Sequence, residues 1–420
     1  MAKTEKIGQF QGGTRSIPAV VLGLGVNGLG VVRSLSRAGI PVIGIYTRPG
    51  EAGRFSKHCK AKQFPILEIH EPEFLDQLVS LGAGLDQPPL FPTSDQYLQF
   101  LSDHRQVLET YYRFNIVDQS TLEMIVKKNG TQVLAERCGV PIPKTYTPLH
   151  EEEIFEISQQ DLFPYIIKPL DTFSVQFPQG AKNLIVRSVR ELREFYHSNP
   201  TCFGQTIVQQ VISGGDGHIF ICTVYFNAAS QPLAVYTGRK IRQYPPDYGV
   251  TCLGESCYVA ELESLTVTFL KKIKFCGVGT AEFVRDRKNG SFAFIELNAR
   301  SYYHNQLFTD CGVNFAAIAY RDLLGEEALP PPQQKEGLWW IDFQRDLSSC
   351  WRKYKQGEIT WGVWLRTVIR ARSFANWDRR DPGPFLYATW LLVKIILQKI
   401  IVLPLKKLPG PLRIIGSAKG

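Results

Sequence analysis

None of the nine cysteines belongs to a CxxC pair, the closest two being Cys252 and Cys257. An odd number of thiols makes a poor disulfide framework. Scattered cysteines predict a reducing compartment. The opening MAKTEKIGQFQGGTRSIP lacks the apolar core of a signal peptide, which predicts a cytoplasmic chain. No internal repeat is visible. The 420 residues, 44% hydrophobic and 21% charged, fit an ordinary globular protein of two to four structural units.

Positive charge is missing from most of the chain. Residues 331–420 hold 16 Lys and Arg against 6 Asp and Glu, which is +10 of a total of +9, so the first 330 residues carry −1. The basicity therefore bears on what the C-terminal part touches.

A carboxylate is also missing where one would be decisive. Gly23-x-Gly25-x-x-Gly28 lies between an apolar run, Ala19 to Leu22, and an apolar-periodic segment, Leu29 to Ala38. That reads as strand, tight turn and helix, whose first N–H groups suit an anion. A dinucleotide site should then present an acid to the ribose after the second strand, Pro41 to Tyr46. The chain presents Tyr46, Thr47 and Arg48. Arg48 suits a 2′-phosphate, so an NAD(P)-dependent oxidoreductase stands as a rival. The favoured reading gives the glycines only a βα turn in a Rossmann-like domain.

Short strands alternate with helical stretches from Ile17 to about Asn115, an α/β pattern. Gln119 to Cys138 reads as one helix, ended by Gly139-Val140-Pro141-Ile142-Pro143. Strand signals follow at Tyr165 to Pro169, Thr206 to Ile212, His218 to Phe226, Pro232 to Thr237 and Phe292 to Leu297. The triple proline at 330–332 looks like a boundary.

Chemistry collects in Gly279 to Asp286 and Phe292 to Arg300. Alternation puts Phe294, Glu296, Asn298 and Arg300 on one strand face, and a turn at Lys288-Asn289-Gly290 brings that strand against Glu282. Two acids and an amide oxygen suit Mg²⁺, which takes few protein ligands and completes its shell with phosphate oxygens and water. The alternative is a solvated polar face.

On these residues the chain resembles the ATP-grasp ligases, in which an acid on one strand and E-x-N-x-R on the next hold metals and triphosphate. The resemblance runs from about Ile17 to Leu324. It implies an α/β chain with a flexible N-terminus (1–16), a Rossmann-like pre-ATP-grasp domain (17–118), and a two-lobed α+β ATP-grasp domain. The N-lobe would cover 119–205 and the C-lobe with its metal site 206–330, followed by a basic helical extension (331–420). Glu282, Glu296 and Asn298 become metal ligands, Lys128 and Lys168 phosphate contacts, and Gln209-Gln210-Val211-Ile212 the hinge whose backbone meets adenine. Gly214-Gly215-Asp216-Gly217 and Thr237 to Pro245 resemble the carboxylate-amine ligase subgroup, which includes D-aspartate ligases. They add Asp216 to the nucleotide contacts, and Arg242 joins Arg300 as a catalytic cation.

Two departures stand out. The segment 171–182 is glycine-poor where a flap is usual, leaving Lys182 to reach the phosphates, and Gln210 replaces a common hinge carboxylate. The implied reaction uses ATP and Mg²⁺, with two ions and Mn²⁺ substitution both open, to join a small-molecule carboxylate to an amine through an acyl phosphate. Tyr302 or His304 would assist substrate recognition. A nucleotide-binding membrane adaptor with a degenerate site is a further rival, opposed by the intact Lys168, Glu282, Glu296, Asn298 and Arg300.

Trp361, Trp364, Leu365, Val368 and Ile369 recur at helical spacing among Arg366, Arg370 and Arg372, a basic amphipathic helix. Phe385 to Leu403 is nineteen residues long, but Lys394 and Lys399 would be costly inside a bilayer. An interfacial or body-packed helix is expected. The expected partner is an anionic membrane surface, met through residues 361–407 at the inner face of a membrane, and no nucleic acid.

Overall fold

The computed structural model of the protein describes residues 17–160, 162–170, 183–246 and 249–405, with side chains except at 128, 129, 396 and 399–405. The expected flexible N-terminus 1–16, Lys182 and the end of the 361–407 segment lie outside the described residues.

Strands β1 (Ala19–Leu22), β2 (Val42–Tyr46), β3 (Lys60–Gln63) and β4 (Leu90–Pro92) form a parallel sheet in the order β3-β2-β1-β4. All four residues of β1 are buried, as a strand covered on both faces requires. The glycines serve the turn into helix Val26–Arg37. Gly23 has φ +86°, and a Cβ on Gly28 would lie 1.8 Å from the Gly23 carbonyl oxygen.

The helix expected over Gln119 to Cys138 is two helices, Gln119–Val126 and Lys128–Arg137. Lys127 between them is extended, with φ −80° and ψ 123°. The second helix starts hard against the end of the first: a Cβ on Gly130 would lie 2.2 Å from the Met124 carbonyl oxygen.

A smaller sheet follows from β5 (Thr145–Tyr146), β6 (Tyr165–Pro169), β7 (Leu184–Val186) and β8 (Thr206–Gln210), antiparallel in the order β5-β8-β6-β7. Helices Glu151–Gln159 and Val189–Ser198 give it a core of its own, including Ile154, Tyr165, Ile167, Leu192 and Val208.

The largest sheet contains β9 (Ile219–Phe226), β10 (Pro232–Tyr244), β11 (Val250–Ser256), β12 (Gly277–Arg285), β13 (Phe292–Asn298), β14 (Trp339–Ile341) and β15 (Ser373–Phe374), in the order β13-β12-β9-β10-β11-β14-β15. On one side, Leu262 and Phe269 of helix Ala260–Lys272 share a core with Phe226, Phe283 and Phe294. On the other, Tyr236 shares a core with Leu307 and Phe308, and with Val31 and Leu35 of helix Val26–Arg37.

The triple proline does not end this sheet. β14 pairs antiparallel with β11, and β15 pairs parallel with β14. Trp340 is completely buried. Helix Phe343–Lys355 then covers the sheet through Asp346, Ser349 and Cys350. Farther on, Asp381 forms a buried ion pair with Arg33 at 3.1 Å, while its carboxylate also accepts from the Ser56 hydroxyl at 2.7 Å. Much of the expected extension is therefore body.

Helix Gly383–Leu405 leans its first turns on residues 49–55, where the Tyr387 hydroxyl donates to the Pro49 carbonyl at 2.6 Å and the Phe55 and Tyr387 rings lie 4.4 Å apart. Farther along, Trp390, Val393 and Leu397 are exposed. Among the described residues no helix is long and apolar enough to cross a membrane.

Candidate active site

The hairpin of β12 and β13 sets Glu282 directly opposite Glu296 and Thr280 opposite Asn298. Next to this pair the register shifts, and Phe283 faces Phe294. Simple alternation from Phe294 to Arg300 therefore fails at its first member: the irregularity turns Phe294 into the core, 5.5 Å from the Phe269 ring and 5.8 Å from that of Phe283.

Glu282 is nearly buried and held from two sides. It accepts from the Lys240 ammonium at 2.5 Å and from the Tyr302 hydroxyl. A carboxylate taken out of water needs such partners, since its desolvation costs several kcal/mol. Burial, reinforced by Glu282, pushes the Tyr302 phenol well above its usual range, so it stays a donor. Glu296 is exposed. Asn298 is buried, and its Oδ1 accepts from Arg300 at 3.2 Å. Arg300 forks onto Asp95, the first residue of helix Asp95–Asp103, at 2.7 and 3.0 Å.

The donor set suits a hard cation. Two carboxylates and an amide oxygen leave most of an octahedron to ligand oxygens, as Mg²⁺ prefers. Among the described residues no group of three or more His, Cys, Asp or Glu is arranged to hold a metal. An ion on this hairpin would thus depend on oxygens brought by the substrate.

In the small sheet the Lys168 ammonium donates to Gln209 Oε1 at 2.8 Å, and Gln209 donates to the Thr145 hydroxyl at 3.0 Å. The hinge backbone is partly committed, with the Gln210 N–H on the Lys144 carbonyl at 2.8 Å and the Val211 N–H on that of Pro164 at 2.9 Å. Ile212 is half-buried beside them. Lys128 opens its helix, with its side chain outside the described ones.

Two expected site residues point elsewhere. Arg242 is buried, bonded to Asp346 at 2.8 and 3.1 Å and to the Thr367 hydroxyl at 2.7 Å. Asp216 meets Lys353 at 3.2 Å and Gln243 at 3.3 Å. Both tie the region of β9 and β10 to helix Phe343–Lys355. His304 is packed between Tyr302 and Trp340 at ring distances of 4.9 and 5.5 Å. Burial, with Lys240 nearby, drives its imidazole down to about 3, so it is a neutral core residue.

Sequence reasoning missed Lys240, Asp95 and Asp346. Lys240 had a signal, since it alternates with Arg242 on one strand. Asp95 and Asp346 had none: they lie 205 and 104 residues from the arginines they hold.

The glycine turn is filled by the chain itself. The Glu51 carboxylate accepts the N–H groups of Leu24, Thr47 and Arg48. Asn27, in the helix's first turn, donates to the Thr93 and Ser301 carbonyls, both at 2.7 Å. Arg48 pairs with Glu68 at 2.6 Å. The NAD(P) reading has no support here.

No protein-family model matches the chain. Its fold is shared by solved structures. The biotin carboxylase domain of Hydrogenobacter thermophilus 2-oxoglutarate carboxylase, solved with MgADP, ADP and bicarbonate, superposes with a TM-score of 0.58 over 78% of this chain and 74% of that one, at 18% identity. N5-carboxyaminoimidazole synthetase from Staphylococcus aureus gives 0.59 over 81% and 86%, at 13% identity. In sequence the chain is similar to the D-aspartate ligase of Enterococcus faecium, 24% identical over 322 residues, which is 72% of this chain and 76% of that ligase. The likeness is thus one of fold to the carboxylase domain and the synthetase, and of sequence to the ligase.

Proposed function

We propose that the protein is an ATP-dependent ligase joining a carboxylate to an amine. The observation that carries this reading is the pairing of Glu282 with Glu296, followed by Asn298 at the end of the same strand and Arg300 just beyond it. A carboxylate is a poor acyl donor. Phosphorylation by ATP gives an acyl phosphate, which the amine displaces, so the protein must supply position and charge and no side-chain nucleophile.

Glu282, Glu296 and Asn298 would hold Mg²⁺, which supplies positive charge to phosphate oxygens. The proposal extends to Mn²⁺, whose preference for oxygen donors is similar, and to a second ion. Lys168, steadied by Gln209, meets the phosphates with Lys128 and Lys182. Residues 209–212 line the adenine side. Arg300, aimed by Asp95, faces oxygens that gain charge. Arg242 and Asp216 serve as positioning residues that tie β10 and the loop before β9 to helix Phe343–Lys355. The functional units are 17–118, 119–205 and a C-lobe from 206 that takes in β14 and β15.

The test is a phosphate-release screen of amino acids and small carboxylic acids, taken in pairs, with ATP and Mg²⁺. Release that requires both an acid and an amine is expected. Release that needs no amine would overturn the ligase reading. A second proposal, contact of residues 361–407 with the inner face of an anionic membrane, is supported by the exposed apolar side chains of helix Gly383–Leu405.

A further inference from the structure

Helix Phe343–Lys355 buries Asp346, Ser349, Cys350 and Lys353 and turns another stripe outward. Phe343, Leu347, Trp351 and Tyr354, spaced on one helical face, are 44, 36, 48 and 44% exposed. Helix Trp361–Arg370 continues the surface. Trp361 lies 6.1 Å from Trp351, 5.3 Å from Tyr354 and 5.6 Å from Trp364, and Trp364 lies 5.9 Å from Phe343. Leu365 and Ile369 extend it as exposed aliphatic groups. A contiguous exposed patch of this kind marks an interaction surface.

The charges around it are one-sided. Residues 343–372 contain seven Lys and Arg and two acids, Asp346 and Glu358. Asp346 is fully buried against Arg242, and Glu358 is paired with Lys353. Lys355 lies 5.0 Å over the Trp351 ring. Past Asp381 the chain has six Lys and Arg and no acid. A second copy would bring the same positive charge to the same face. An anionic bilayer brings the opposite charge, together with an interface that accepts indole and phenol rings.

We propose that the aromatic plate on helices Phe343–Lys355 and Trp361–Arg370 docks on an anionic lipid surface. This rests on the reading that the C-terminal part meets a membrane, and it assigns the contact to a preformed plate on the body as well as to helix Gly383–Leu405. The same helix that presents Trp351 holds Arg242 through Asp346 and Asp216 through Lys353. Docking would therefore fix the ligase lobe at the lipid surface.

The test uses the full chain with phosphatidylcholine vesicles, with and without phosphatidylserine. Combined Trp351→Ser and Trp361→Ser should lower partition into anionic vesicles about tenfold or more and leave the melting temperature near wild type. Brominated lipid should quench wild-type tryptophan fluorescence and quench the variant less. Trp390→Ser with Leu397→Ser is the companion variant for the long helix. If that pair abolishes binding while the plate variant binds and quenches like wild type, the plate is not the contact and the membrane reading stands without it. If the unaltered chain binds no vesicle, both readings fall. If it is a dimer that the plate substitutions dissociate, the occupant is a second copy and the lipid proposal is wrong. Should the double tryptophan variant not fold, Leu365→Ser with Ile369→Ser carries the same comparison.

Discussion

The turn after β1 and the hairpin of β12 and β13 both carry patterns that suit phosphate or metal, yet they end differently. At the turn the chain fills its own opening: Glu51 takes three backbone N–H groups, and Asn27 spans the carbonyls of Thr93 and Ser301. At the hairpin Lys240 and Tyr302 each donate to one oxygen of Glu282, while Glu296 opposite it is exposed. A spacing motif reports backbone geometry. Its use depends on which side chains arrive from elsewhere, and the two outcomes predict different losses on substitution.

Regions whose polar groups are spent on the fold should lose stability when altered. The largest loss is expected for Asp346→Ala, which leaves Arg242 buried without its counter-charge at a cost of about 3–5 kcal/mol, measurable by urea denaturation. Gly28→Ala comes next. Its new Cβ would meet the Gly23 carbonyl oxygen at 1.8 Å, and such overpacking costs about 2–3 kcal/mol. Nucleotide affinity of the folded fraction should not change, which would separate the turn from any ligand site.

His304 gives a smaller effect that depends on pH. The unfolded imidazole protonates near pH 6.5, the folded one only near 3. Unfolding therefore takes up a proton between those values, and stability falls as pH drops from 6.5 toward 3. The slope approaches about 1.4 kcal/mol per pH unit. Denaturation curves across this range should flatten in His304→Phe. An unchanged acid limb would mean that His304 titrates normally and is not a core residue.

The β12 and β13 hairpin was legible because its acids, its turn and its strands lie within a short stretch. The strand-turn-helix at Gly23 was legible for the same reason. The register shift before Phe294 was not, since no residue type announces it. The break at Lys127 carries no proline, and it goes with a close approach of Gly130 to the Met124 carbonyl. β14 and β15 are three and two residues long, too short to show alternation, and they follow a proline run that mimics a domain end. Asp95 with Arg300 and Asp346 with Arg242 are contacts that only the tertiary fold creates.

The most direct test of the hairpin's role compares melting temperatures of wild type and Glu296→Gln with ATP, with and without Mg²⁺, beside NADPH. Glu296 is exposed, so the substitution should change ligand-free stability by less than about 0.5 kcal/mol. A bound ligand stabilises only the fold that holds it. Mg²⁺ and ATP should raise the wild-type melting temperature, the Mg²⁺-dependent part of that rise should disappear in Glu296→Gln, and NADPH should do nothing to either. Protection by NADPH, or Mg²⁺-dependent protection that survives intact in Glu296→Gln, would contradict that role.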